Sequence, residues 1–272
     1  MKPYQTIKLE VDGRLATLTL NQPENLNGLN VQMQEEMLDA LSALQNDASV
    51  GALILAGAGR AFSAGGDLRQ LTEPRADGKT NHDGAGDMMV QLSNPLMMAL
   101  QRLPMAIVSA VHGAAAGAGA SLALSADVVV AARSAFFMAP FLPRLGLVPD
   151  CGMTWLLSRG VTRARSMGLM LLGDRLAAEQ ALEWGLIWSC VEAEQLMPES
   201  HKLAQRLAQG PTGFALEARL AQSAAYRNDF VSQLHYEAER QRVLLSSHAF
   251  KEGARAFLEK REPDFHASTK QS

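Results

Sequence analysis

The sequence predicts an α/β fold, a buried and mostly parallel sheet followed by a helical C-terminal third. Three observations carry this. Residues 52–56 (ALILA), 106–111 (AIVSAV) and 127–132 (DVVVAA) are short and apolar on both sides, as parallel strands covered on two faces are. Helical patterns near 85–102 and 117–126 separate them, and such strand–helix alternation builds α/β layers. Beyond residue 153 the apolar spacing is almost entirely helical.

Taken in order, residues 7–11 and 15–20 alternate polar and apolar around Asp12-Gly13, a hairpin signal because glycine reaches positive φ without steric cost. From Asn30, an expected N-cap, Val31, Met33, Met37, Leu38, Leu41 and Leu44 take a helical period, with Gln34 close to the capping-box position. A fourth strand is expected at 186–191. Residues 69–86 are polar and rich in turn formers, the pattern of a mobile lid or disordered loop. The last third reads as amphipathic helices carrying Leu203, Leu207, Phe214, Leu216, Leu220, Phe230, Leu234 and Leu244, broken at Gly210-Pro211. The chain therefore divides into a core, 1–200, and a helical region, 201–272.

Composition sets the class. With 47% hydrophobic and 19% charged residues the chain can bury a sizeable core, which excludes intrinsic disorder. A net charge of −3, from 25 Lys+Arg and 28 Asp+Glu, argues against nucleic acid as a partner. Cys151 and Cys190 supply neither a disulfide framework nor a zinc site, so no metal centre is expected and a reducing cytosol fits. No apolar run reaches the ~20 residues that cross a bilayer. No secretory signal opens the chain, and a cytoplasmic protein without membrane partners is expected.

Four stretches are candidates for chemistry. In residues 61–67 (AFSAGGD), Ser63 sits like a hydrolase nucleophile, but Ala61 replaces the first glycine of the elbow and no Asp–His pair stands out downstream. Lacking Gly-Lys-Ser/Thr, the stretch is no P-loop. It is either a plain glycine-rich turn or a place where backbone N–H groups meet a ligand oxygen. Residues 113–121 (GAAAGAGAS) open a helix after a strand, yet Leu122 stands where a dinucleotide fingerprint needs its third glycine. Close helix–sheet packing and an anion-tolerant helix N-terminus remain. Asp150, in Leu147-Val148-Pro149-Asp150-Cys151-Gly152, is either an N-cap or a carboxylate whose apolar setting raises its pKa toward that of a base. Residues 256–261 (AFLEKR) read as a solvated helix end.

In this order and spacing, the four stretches resemble the enoyl-CoA hydratase/isomerase (crotonase) superfamily across nearly the whole chain. Residues 146–152, 163–169 and 183–188 resemble its isomerase branch, which shifts enoyl-CoA double bonds. The resemblance implies a crotonase-like ββα spiral core with a helical C-terminal trimerisation region, assembled as a homotrimer or dimer of trimers. It implies acyl-CoA thioester substrates and no cofactor, coenzyme A being part of the substrate. The backbone N–H groups of Gly66 and Ala118 match the family's oxyanion hole. Substrate contacts are implied at Ala64, Gly66, Asp67, Leu68, Arg69, Ala118, Phe141, Phe257 and Lys260, with Arg69 and Lys260 facing phosphate.

Departures from the family pattern bear on the reaction. Hydratases of the family use two glutamates. Ser121 stands at the first position, and the second falls near residues 140–142, where this chain is slightly longer than the isomerase pattern. No carboxylate lies between Asp127 and Asp150, and Asp150 matches the catalytic aspartate of the isomerase branch. Met153 replaces a usual glycine, which narrows the acyl pocket. Phe136, Phe137, Phe141 and Trp155 either line a pocket for a ring or belong to the ordinary core. The implied activity is acyl-CoA double-bond isomerisation. Its alternatives are enoyl-CoA hydration with a water held by Asp150, and non-catalytic acyl-CoA binding.

Overall fold

The hairpin forms as its alternation requires: β1 (Ile7–Asp12) pairs antiparallel with β2 (Leu15–Leu20), and Gly13 turns between them at φ 56°. The structure, a computed structural model, describes residues 3–74 and 80–266. Helix α1 (Val31–Gln45) starts at Asn30, whose Oδ1 accepts the Met33 N–H at 2.8 Å. Gln34 departs from the capping-box expectation. It is buried, so its amide donates to the Leu29 and Asn30 carbonyls and accepts from Ser93 Oγ instead.

Each following strand runs straight into a shorter one. β3 (Ala52–Gly57) leads to β4 (Ala61–Ser63), and then come α2 (Leu68–Thr72), α3 (Ala85–Met88) and α4 (Asn94–Arg102). β5 (Ala106–Val111) leads to β6 (Ala114–Ala116) and α5 (Ala118–Leu124). β7 (Val128–Ala132) leads to β8 (Phe136–Met138), followed by α6 (Met153–Gly160) and α7 (Arg163–Leu172). β9 (Leu176–Ala177), α8 (Ala178–Glu183) and β10 (Ser189–Val191) complete the core, and α9 (Leu196–Ala208), α10 (Phe214–Ala225), α11 (Phe230–Leu244) and α12 (His248–Glu259) follow. The long strands form a sheet in the order β1-β2-β3-β5-β7-β10, and the short ones a second sheet in the order β4-β6-β8-β9. Apart from the antiparallel pairs β1·β2 and β8·β9, all pairings are parallel. Repetition of long strand, short strand and helix is the ββα spiral.

The two-sided apolar strands are explained by what covers them. Leu53, Leu55 and Ile107 face a core shared with α1, α4 and α5, whereas Ile54, Val108 and Val130 face Leu196, Ala204 and Ala208 of α9. Helix α9 straddles residue 200 and packs over β3 and β5.

Two sequence expectations change. The expected loop at 69–86 begins instead with α2, which Asp67 caps by accepting the N–H groups of Arg69 (3.0 Å) and Gln70 (3.2 Å). Pro74 bridges to Thr80, Asn81 Nδ2 donates to the Gln70 carbonyl at 2.6 Å, and helix resumes at Ala85; residues 75–79 of that stretch lie outside the described residues. The fourth strand begins only at Ser189, because the Leu186 N–H closes the end of α8 on the Ala181 carbonyl. Among the described residues no helix is long and apolar enough to cross a membrane.

Candidate active site

The glycine turn after β4 is held from beneath. Leu26 and Asn27 take left-handed backbone at φ 59° and 55°, which aims the buried Asn27 amide at the carbonyls of Ala58 (2.9 Å), Ala61 (2.8 Å) and Phe62 (3.2 Å). The Ala64 N–H donates to Leu26 O and the Leu29 N–H to Gly65 O. Ser63 is fully buried; its hydroxyl donates to Asn27 O at 2.7 Å and accepts the Gly65 N–H. With its hydroxyl committed there, Ser63 is a strut and not a nucleophile.

This turn presses against the start of α5. Gly65 sits at φ 94°, and a methyl group there would lie 2.6 Å from the Ala116 carbonyl oxygen and 3.1 Å from the Ala118 nitrogen. A methyl at Gly119 would lie 2.5 Å from the Ser63 carbonyl oxygen, so only glycine permits the contact. Helix α5 begins at Gly117 (φ 53°) with no side-chain cap, and all seven of its residues are buried. Among the described residues neither the Gly66 N–H nor the Ala118 N–H has an acceptor. Two adjacent turns therefore contribute two unpaired donors, the second at the positive end of a helix. Ala64 and Gly66 are exposed, Ala118 is buried, and the Phe141 ring packs against Gly117. Asp67 serves as the α2 cap, with Leu68 and Arg69 exposed on the same turn.

Asp150 is joined to α5 through its backbone. The chain leaves β8 through one wide turn, Phe141–Leu145, ended by Gly146 at φ 67°, and runs exposed until the buried Pro149. Asp150 O accepts the Met153 N–H at 3.0 Å and the hydroxyl of Ser121, on α5, at 3.1 Å. Gly152 (φ 79°), not Asp150, is the N-cap of α6, so the capping alternative is corrected: Cys151 at φ 49° and Gly152 turn the chain before the helix starts. The Asp150 Oδ1 atom is buried without a hydrogen-bond partner. Burial raises its pKa above the ordinary carboxylate value, and hydrogen bonds from the Cys151 thiol and its own backbone amide offset only part of the rise. The Cys151 thiol is itself pushed up by burial and by the neighbouring carboxylate.

The aromatic candidates divide. Phe137 and Phe141 are core, Phe136 carries the Arg175 guanidinium, and Trp155 stacks under Arg159 at 4.1 Å. Trp155, with Cys151, Gly152 and Tyr226, lines a cavity of about 690 Å³ that the glycine turns do not line. Met153 is buried. Phe257 on α12 and Lys260 just after it stand exposed, Phe257 at 82%, offered to solvent instead of packed into the cluster. The sequence analysis overlooked Asn27, Cys151 and the use of Ser121. Only the Asn25-Leu26-Asn27-Gly28 string, rich in left-handed turn formers, carried a signal.

The chain matches the Enoyl-CoA hydratase/isomerase family model over residues 10–268. It is 45% identical over 260 residues to the 1,2-epoxyphenylacetyl-CoA isomerase of Escherichia coli, covering 94% of this chain and 96% of that protein. It is 41% identical to a Rhodobacter capsulatus protein named "Probable enoyl-CoA hydratase", covering 96% of this chain and 98% of the relative. The crystal structure of an enoyl-CoA hydratase from Polaromonas sp. JS666 superposes with a TM-score of 0.86 at 31% identity, covering 94% of this chain and 98% of the other. The chain belongs to the enoyl-CoA hydratase/isomerase family.

Proposed function

We propose that this chain is an acyl-CoA double-bond isomerase acting on an enoyl-CoA or ring-epoxide CoA thioester. The thioester carbonyl accepts hydrogen bonds from the N–H groups of Gly66 and Ala118. Asp150 removes a proton beside the conjugating system, those donors stabilise the resulting enolate, and Asp150 returns the proton two carbons away. Loss of one such donor costs ~2.7–4 kcal/mol in other enzymes, so the pair supplies much of the acceleration. One base suffices because it acts in turn as base and conjugate acid. The observation that carries this reading is the lone carboxylate, its Oδ1 buried and unpartnered, tied to the helix that bears the Ala118 N–H.

Arg69 and Lys260 are proposed to face the phosphates of coenzyme A, and Ala64, Asp67, Leu68, Phe141 and Phe257 to line its path. Exposed Phe257 and Leu258, at 82% and 81%, support residues 201–272 as the assembly region of a homotrimer or dimer of trimers. The free thiols Cys151 and Cys190 fit the proposed cytoplasmic setting.

The R. capsulatus relative favours a second reading, hydration of an enoyl-CoA by a water held on Asp150. The test incubates the protein with crotonyl-CoA, a 3-enoyl-CoA and a ring-epoxide CoA ester in deuterated water. Isomerised product without the mass gain of water is expected, with deuterium uptake only to the extent that the Asp150 proton exchanges before it is returned. Hydration would favour the second reading, and tight binding without any product a non-catalytic binder.

A further inference from the structure

We propose that Ser121 is a positioning residue: its hydroxyl ties the Asp150 backbone to the helix that carries the Ala118 N–H, so that base and charge-stabilising donor move as one body. The proposal rests on the isomerase reading above. Ser121 lies three residues after Ala118, one turn along α5 on the same face, and is fully buried. A helical serine ordinarily bonds back to the carbonyl four residues earlier. Here that carbonyl, Gly117 O, already receives the Ala120 and Ser121 N–H groups, and the hydroxyl crosses instead to Asp150 O at 3.1 Å.

The catalytic turn needs such a tie. Cys151 is a non-glycine residue in left-handed backbone at φ 49°, followed by Gly152 at φ 79°, a conformation that persists only where the surroundings impose it. The Asp150 Oδ1 atom gives no help, since it has no partner. Holding the turn through the main-chain carbonyl leaves that oxygen free to take a proton. At the position where the family's hydratases carry a glutamate, this chain thus carries a strut.

The test compares Ser121→Ala, Ser121→Cys and Asp150→Asn with wild type, using kcat and KM for isomerisation and amide hydrogen exchange on the full chain. Alanine favours a helix and removes one oxygen; cysteine keeps the size but is a weak donor. Both Ser121 variants are expected to lose about 10- to 100-fold in kcat with KM kept within about twofold, as misplacement of a reacting group does. Exchange at the Met153 amide is expected to quicken while the amides of α5 stay protected. Wild-type kcat in either variant overturns the proposal. So does unfolding, or joint loss of kcat and KM with exchange spreading through α5, which marks a purely structural serine. Activity in Asp150→Asn would defeat the isomerase reading itself, whereas an inactive Asp150→Asn beside a fully active Ser121→Ala defeats only the strut.

Discussion

At the scale of single residues, the proposed chemistry turns on two positions in opposite ways. Asp150 must be ionised to accept a proton, and burial raises its pKa, so kcat/KM is expected to fall with decreasing pH through a value above the ordinary ~3.9. The same shift fixes a stability sign. The folded form holds that proton more tightly than the unfolded form, so stability is lost as pH rises from the ordinary value through the raised one. Asp150→Asn is therefore expected to abolish turnover yet melt no lower than wild type at neutral pH, a pairing that activity assays and thermal melts check together. Gly65 acts sterically: in Gly65→Ala a methyl must enter left-handed backbone 2.6 Å from the Ala116 carbonyl. A stability loss of about 1–3 kcal/mol is expected with near-complete loss of activity, read by denaturant melts beside the isomerase assay. Asp150 and the glycines were legible in the sequence because an acid among apolar neighbours and a run of glycines are local signals. The Ser121 contact spans 29 residues and exists only after α5 and the Asp150 turn have packed, and no local pattern encodes it.

The elements were legible in proportion to their length. Strands of five or six residues show their two-sided apolar character, whereas β4, β6 and β8 have three residues each, too few to display a period. The stretch from 69 looked like a loop because its order comes from the Asp67 cap and the Asn81–Gln70 bond, not from apolar spacing. At the chain's end, α12 is anchored through Glu252, which binds Arg261 at 2.7 Å, the Asp264 amide at 3.0 Å and Arg255 at 2.5 Å. Arg261 above all, with the Asp264 amide and Arg255, pulls the Glu252 pKa from 4.5 to about 2. A depressed carboxyl adds stability above its ordinary pKa and loses it as pH falls toward the lowered one. Glu252→Gln is accordingly expected to lower Tm at pH 7 and to erase the extra loss that wild type shows between pH 4.5 and about pH 2, in melts across that window.

For the whole molecule, the surface is the informative feature. Helix α11 buries none of its 15 residues, and Phe230, Val231 and Leu234 are 77%, 61% and 49% exposed. Large apolar side chains left bare in one chain call for a partner. Sedimentation is expected to show a trimer or its double, and Phe230→Asp with Leu234→Asp to give a smaller species; a monomeric wild type would refute the assembly. The sequence foresaw a helical C-terminal third but not which face stays bare, since bareness depends on how α10 to α12 lie against the core.

Every residue of helix α5 is buried. A change of size at any of its seven positions must be absorbed by the interior of the protein, so the helix proposed to carry a charge-stabilising donor is nearly frozen against substitution. The segment 142–148, where Leu142, Leu145, Leu147 and Val148 lie exposed, carries no such restraint. Relatives that accept different acyl groups are thus expected to diverge along this segment while α5 stays the same.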